Sequence, residues 1–303
     1  MLQTGTHLSF SVGGIVIEIE DPARTWEFSG KDPHRAFLVE RRETPNIALR
    51  VQRGARAPRL PGKPIYSTDG GLWNLHHDNG GIAVSLGAPA EGGALHRVAR
   101  MDGAFTRGEV LVTPAGDRPA FHPYPLRYPL DEVIVINHLA RGRGAIFHAA
   151  GLITPRGEGW LFLGRSGAGK STMSGLWAGR EGCAIISDDR IIVRPEDRHG
   201  ETGCRMYGTP WHGDAEVSSP KSAPLARIFL LEQAPENRLV TATPGDAARS
   251  MLVNCFAPFY DAAGMEWTLG FVNEIVGQVP VHTLRFLPEA SLVDHLLNEG
   301  VTA

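Results

Sequence analysis

Cysteine is scarce in this chain: Cys183, Cys204 and Cys255 are the only three, with no CxxC and no Cys/His spacing between them. An odd, scattered set implies neither a disulfide framework nor a zinc site, and the expected setting is reducing and cytoplasmic. The opening MLQTGTHLSFSVGG lacks a basic segment followed by an apolar one. No apolar run nears the ~20 residues of a membrane span, so neither a secretory leader nor a membrane partner is expected. Charge is almost balanced, with 30 Lys and Arg against 33 Asp and Glu and a net charge of −3. That leaves no polycationic surface for nucleic acid. Lysine itself is rare, present only at positions 31, 63, 170 and 221. Where arginine is the default cation, a lysine has a reason to be one. Repeats and low-complexity segments are absent.

What is present is globular. The 303 residues are 42% hydrophobic and 21% charged, enough for a full core and for two domains. From residue 8 to about 113 the pattern is short and β-like, as in LSFSVGGIVIEIE, NIALRVQ and GLWNLHHDNGGIAVSLGA. Turn-forming Gly, Asp, Asn and Pro separate these runs, which predicts antiparallel strands and hairpins. RGARAPRLPGKP (53–64) reads as a loop. The proline-rich segment 113–129 reads as a linker, which predicts a β-rich domain over 1–126 and a second domain over 127–303. In the second domain LDEVIVINHLAR (130–141) predicts a helix with Asp131 near its N-cap. Buried strands are expected at AIFHAAGLI, GWLFL and CAIIS, and further strands at ARIFLLE and VHTLRFL. Helices are expected at KSTMSGLWAG, PGDAARSMLVNCF, GMEWTLGFVNEIV and EASLVDHLLN. Strands alternating with helices give an α/β fold with a mixed sheet.

The most informative stretch is LFLGRSGAGKSTMSGL. Gly164, Arg165, Ser166, Gly167, Ala168, Gly169, Lys170 and Ser171 match GxxxxGK[ST] at every fixed position, and Thr172 follows. A strand precedes the match and a helix follows it, which is the context the motif needs. Such a loop turns backbone N–H groups onto phosphate oxygens, with Lys170 reaching the β- and γ-phosphates and Ser171 facing Mg²⁺. One of the rare lysines therefore sits where a compact ammonium fits and a planar guanidinium does not. A bound nucleoside triphosphate is the expectation.

Asp188 and Asp189 follow an apolar strand 18 positions beyond Lys170 (188 − 170). One helix separates them from the loop, so both carboxylates should stand at the C-terminal edge of a neighbouring strand. There one can hold Mg²⁺ while the other accepts the proton of an attacking hydroxyl. This spacing is short for transporter ATPases and small GTPases, and neither an LSGGQ-like nor an NKxD-like signature is present.

Residues 147–193, FHAAGLITPRGEGWLFLGRSGAGKSTMSGLWAGREGCAIISDDRIIV, resemble the catalytic domain of the HPr kinase/phosphorylase family, which shares the phosphoenolpyruvate-carboxykinase-like P-loop fold. The family's histidine on the strand before the loop strand, its SGxGKS cradle and its paired Asp all have counterparts here in the same order. The resemblance covers about 128–235. It implies an ATP- and Mg²⁺-dependent kinase acting on a hydroxyl of a peptide, protein or small molecule, most readily a serine. It further implies Asp188 as catalytic base, Ser171 and Asp189 on the Mg²⁺ side, and His148 as a neighbour that orients Asp188. The family's later Glu-containing and Arg-rich elements have no counterpart in CRMYGTPWHGD or SSPKSAPLARIFLLE. That points to a divergent relative with another acceptor.

GTPWHGD (208–214) and the loop 218–224 are the expected lid or acceptor segment. Lys221, Arg165, Arg190 and Arg205 compete for the role of stabilising transferred charge. Two other functions keep the same cradle: a nucleotide-sensing module without transfer, and a carboxykinase-type enzyme. A homo-oligomer stays open.

Overall fold

A computed structural model describes residues 6–22, 32–40, 44–54, 58, 60, 62–88, 94–113, 124–198 and 200–299. Two compact units divide the chain: residues 1–141 with 258–261, and residues 142–257 with 262–303. Together they form a mixed α/β protein with two large sheets and, among the described residues, five α-helices. Among those residues no helix is long and apolar enough to cross a membrane.

The first unit is built on eight strands: β1 (His7–Val12), β2 (Ile15–Glu20), β3 (Ile47–Arg53), β4 (Tyr66–Ser67), β5 (Trp73–Asp78), β6 (Gly81–Ala88), β7 (Ala94–Met101) and β8 (Arg107–Val112). Their order in the sheet is β1-β2-β3-β8-β7-β6-β5-β4. The expected hairpins are present. Between β5 and β6, Asn79 and Gly80 both have positive φ, 46° and 84°, the mirror-image turn that matches strand twist. The sheet departs from the antiparallel expectation at its centre, where β3 runs parallel to both β2 and β8. A long connection joins β2 to β3, so β3 is free to enter in the same direction as β2.

Helix α1 (Leu130–Leu139) forms as expected, but its N-cap is Pro129 and Asp131 lies inside the first turn. The expected linker residues 114–123, and residues 55–57, 59 and 61 of the expected loop 53–64, lie outside the described residues. The units divide after Arg141 instead of at 126/127, because α1 is tied to the first unit by polar bonds. His138 Nδ1 lies 2.9 Å from the Phe105 carbonyl oxygen, and Arg141 Nε donates to the Gly103 carbonyl at 3.0 Å.

A buried histidine makes the third tie. His34 Nε2 lies 2.9 Å from Asp131 Oδ2 and its Nδ1 3.2 Å from Asp32 Oδ1. Burial works against the charged ring, but the two carboxylates outweigh it and the His34 pKa is pushed up to about 9. The sign follows from linkage. Below about pH 6.5 the histidine is charged in both folded and unfolded chains, and the pairing contributes fully. As pH rises to about 9 that contribution is lost, on the order of 3 kcal/mol for the wild type. His96, pushed down to about 4 by burial and by Arg97, acts only on the acid side of that window. Urea midpoints measured from pH 6.5 to 9 should therefore fall for wild type and stay flatter for His34→Gln. Parallel slopes would contradict the assignment.

The second unit holds β9 (Ala145–Ile153), β10 (Gly159–Leu163), α2 (Lys170–Trp177), β11 (Ala184–Ser187), β12 (Arg190–Arg198), β13 (Glu201–Gly208), β14 (Ser222–Gln233), β15 (Arg238–Thr241), α3 (Pro244–Val253), α4 (Ala262–Gln278), β16 (Val281–Phe286) and α5 (Ser291–Glu299). The expected strands and helices of this region all have counterparts, except that β14 begins at Ser222, inside the loop expected over 218–224. β10 bonds β9 antiparallel on one edge and β14 parallel on the other. That closes β9-β12-β13-β14-β10 into a ring.

An eight-residue helix such as α2 is marginal alone, so packing must hold it. Met173 and Trp177 of α2 are buried against Trp160 and Phe162 of β10 and Phe229 of β14. The Trp160 and Trp177 rings meet edge-on at 5.7 Å, and Phe162 stacks on Phe229 at 5.1 Å. Such pairs add roughly 0.5–1.5 kcal/mol each beyond area burial. The tryptophan pair holds the last turn of α2 against β10, and the phenylalanine pair holds β10 against β14.

Candidate active site

β9 lies between β10 and β11 and runs opposite to both. The C-terminal ends of β10 and β11 therefore emerge at the same sheet edge. Leu163, the last residue of β10, pairs with Ala149, and Ser187, the last of β11, pairs with Gly151. The Gly-rich loop and the Asp pair consequently start level with each other, and His148 enters the same level from β9. β11 and β12 follow one edge of β9, interrupted only at Asp188–Asp189, where the Ala149 N–H donates to the Asp189 carbonyl at 3.1 Å.

The loop is shaped by glycine at the positions that need it. Gly167 and Gly169 have φ of 81° and 105°. A Cβ on Gly169 would stand 2.6 Å from Cζ of Phe286. The first intrahelical bond of α2 runs from Met173 N–H to the Gly169 carbonyl, so the N–H groups of Lys170, Ser171 and Thr172 have no partner within the helix. No acidic side chain occupies the first turn. The result is an electropositive helix start beside a loop of backbone donors. Lys170 reaches back across the loop, its Nζ donating to the Gly164 carbonyl at 2.8 Å and the Arg165 carbonyl at 3.4 Å. Burial, helped by Arg190, lowers its pKa against the pull of Asp189. An ammonium has three hydrogens, so at least one remains for a ligand.

A cleft of about 440 Å³ opens over the loop, within the roughly 300–1,000 Å³ of small-molecule sites. Its walls bring together His148, Lys170, Ser171, Asp188 and Asp189, with Ser166, Gly167, Gly169 and Thr172 forming the floor. The remaining expected loop residues, Gly164, Arg165 and Ala168, face a second cleft on the other side.

The two carboxylates are held differently. Asp188 is 3% exposed and accepts the Gly213 N–H at 3.0 Å on Oδ1 and the Ala215 N–H at 2.8 Å on Oδ2. A carboxylate offers about four acceptor positions, so both oxygens keep one. Asp189 Oδ1 lies 2.8 Å from His148 Nε2, and its other oxygen meets Arg190. Burial would raise the Asp189 pKa. The His148 hydrogen bond, Arg190 and Lys170 outweigh it and hold the carboxyl below its usual range.

His148 therefore partners Asp189, in place of the expected Asp188. The reason is register: Arg190 of β12 pairs with His148 of β9, which brings the residue next to Arg190 onto the histidine, while Asp188 turns into the 213–215 segment. Among the competing cations, Arg205 is spent on Glu196 at 2.6 Å, and neither Arg205 nor the exposed Lys221 lines either cleft beside the loop. Arg165 lines the second cleft, and Arg190, which lines neither, bonds the Asp189 carboxylate with its guanidinium 4.3 Å from the Phe256 ring centroid.

Sequence reasoning missed Gln233 and did not single out Asp214. Gln233 Nε2 donates to the Gly167 carbonyl at 3.0 Å and steadies the loop from the end of β14, while Asp214 adds a third carboxylate to the cleft. No spacing rule marks a glutamine 63 residues after Lys170 (233 − 170). The signal for Asp214 was its place in the expected lid segment. Among the described residues no group of three His, Cys, Asp or Glu side chains is arranged to hold a metal unaided. The oxygens of Ser171 and Asp189 are nevertheless the hard donors that Mg²⁺ takes one or two at a time, completing its shell with water and phosphate.

No protein-family model matches the chain, and no curated protein matches it.

Proposed function

We propose that the chain is a Mg-ATP-dependent phosphotransferase of HPr-kinase-like fold, with residues 142–257 and 262–303 as its P-loop domain and a hydroxyl group as acceptor. The observation that supports it best is the convergence of the Gly-rich loop, Lys170, Ser171, His148 and the Asp pair on one cleft. A sensor needs the loop alone. A phosphate-transferring site also needs a fixed carboxylate, and two backbone donors hold Asp188 in the wall of the same cleft, which supports this reading.

The backbone N–H groups and Lys170 bind the triphosphate and neutralise its charge. Ser171 and Asp189 would hold Mg²⁺, which when bound would supply further charge neutralisation. His148 and Arg190 fix the Asp189 carboxylate on that side. Asp188 takes the proton of the acceptor hydroxyl as its oxygen bonds to the γ-phosphorus. The bond from that phosphorus to the bridging oxygen breaks, and ADP leaves with the electron pair.

The test is mass spectrometry of a cell lysate incubated with Mg-ATP and either wild type or Lys170→Ala. A product heavier by one phosphate, formed by wild type and lost on substitution, is the expected outcome. Mg-ATP binding without any such product would overturn transfer in favour of a nucleotide sensor.

A further inference from the structure

Asp189 is held on both oxygens, on Oδ1 by His148 and on Oδ2 by Arg190. A carboxylate fixed in this way stays fixed only if its two partners do. Both partners meet one ring. The Arg190 guanidinium carbon lies 4.3 Å from the centroid of Phe256, and the His148 ring lies 6.4 Å from it, centre to centre, with the planes at 59°. The first distance is well inside the roughly 6 Å at which an aromatic face attracts a guanidinium. Phe256 is not among the residues that line the first cleft, so it reaches the site through these two side chains.

Strand register explains the meeting. Phe147 of β9 lies opposite Cys255 in an antiparallel bridge, the His148 N–H donates to the Asn254 carbonyl at 2.7 Å, and the Phe256 N–H donates to the Ile146 carbonyl at 2.9 Å. The segment 254–256 thus runs along β9 as a short added strand, with Phe256 opposite Ile146. On the other edge of β9, Arg190 lies opposite His148. Residues two apart on a strand share a face, as do residues directly opposite on neighbouring strands. Ile146, His148, Arg190 and Phe256 therefore stand on one face of the sheet. Cys255 belongs to the core cluster of Phe147 and Met251, which anchors the segment that carries the ring.

We propose that Phe256 is a positioning residue of this site, whose ring holds Arg190 and His148 where they fix the two oxygens of Asp189 on the Mg²⁺ side. The proposal rests on the phosphotransferase reading above. Without the ring the guanidinium loses its platform, the carboxylate it bonds turns with it, and more Mg²⁺ is needed for the nucleotide to bind.

Phe256→Leu and Phe256→Met keep an apolar side chain without the aromatic face, whereas Phe256→Tyr keeps the face. Calorimetric titration of ATP at a series of Mg²⁺ concentrations gives the half-saturating Mg²⁺ for each protein, and thermal unfolding shows that the fold is kept. The two non-aromatic variants should need about tenfold more Mg²⁺, the low end of the roughly 10–100-fold range for residues that orient a metal ligand, and Phe256→Tyr should stay within about threefold of wild type. In an Asp189→Asn background Phe256→Leu should add less than about twofold, because a residue that acts only through Asp189 has nothing left to act on. An unmoved Mg²⁺ requirement in a folded non-aromatic variant, an equal rise in Phe256→Tyr, or the full rise repeated on top of Asp189→Asn would each overturn the positioning role. Loss of the fold in both non-aromatic variants would overturn it as well, making the ring a part of the core. Failure of wild type to bind ATP at any Mg²⁺ concentration would overturn the phosphotransferase reading itself.

Discussion

Replacing Asp188 with asparagine is expected to lower phosphate transfer by about 10²–10⁴-fold, the range of a lost general base, while Mg-ATP binding changes by less than about tenfold. The carboxylate faces the first cleft but makes no bond to the Gly-rich loop, so its removal leaves the phosphate cradle unaltered. Two effects combine at this position. The amide cannot accept the acceptor's proton at neutral pH. It also presents an N–H₂ group to one of the two backbone donors at Gly213 and Ala215, a donor facing a donor. Hydrogen exchange at those two amides measures the second effect separately. Protection that persists together with a large loss of transfer assigns the loss to the missing base. A variant that transfers phosphate within tenfold of wild type would remove Asp188 from the chemistry. Asp189→Asn should differ in kind, because its carboxylate bonds His148 and Arg190. Its loss should appear first in the Mg²⁺ concentration needed for nucleotide binding.

The parts of the site legible in the sequence were those set by local chemistry. The Gly-rich loop announces itself because its backbone demands glycine at 167 and 169 and because Lys170 and Ser171 complete the GxxxxGK[ST] pattern. The Asp pair was legible because a single short helix fixes how far the chain travels before the next strand. What stayed hidden depends on pairing between distant segments. The partner of His148 is decided by which residue of β12 lies opposite it, and a slip of one position exchanges Asp188 for Asp189. Gln233 reaches the loop only because β14 runs parallel to β10 and extends beyond it. The same holds in the first sheet, where the β-like pattern foretold strands and hairpins but not that β3 runs parallel to β2 and β8. The unit boundary was placed too early for a related reason. Proline-rich composition marks where a chain is irregular, and the hydrogen bonds that tie α1 to β-sheet loops near Phe105 are invisible to composition.

Two glycines of one helix, the N-cap Gly169 and Gly175 in the last turn, should respond in opposite ways to alanine. Gly169 has φ 105° and ψ 20°, and an added Cβ would press on the Phe286 ring. Phe286 is fully buried among Leu284, Leu292 and Trp160, so the ring has no space to retreat into. Left-handed backbone disfavours a side chain by about 1–2 kcal/mol, and overpacking a core adds roughly 1–3 kcal/mol. Gly169→Ala should therefore destabilise the second unit by roughly 2–5 kcal/mol, read as a lower urea midpoint. It should also weaken Mg-ATP binding, because relief of the clash rotates the N–H groups of Lys170 and Ser171 away from the phosphates. Gly175 lies six residues on in the same helix, and a Cβ there meets nothing within 4 Å. Gly175→Ala removes backbone freedom from the unfolded chain at no steric penalty and should stabilise by about 0.5–1 kcal/mol with nucleotide binding unchanged. Equal responses at the two positions would mean that the loop is not held in the left-handed conformation its cradle requires.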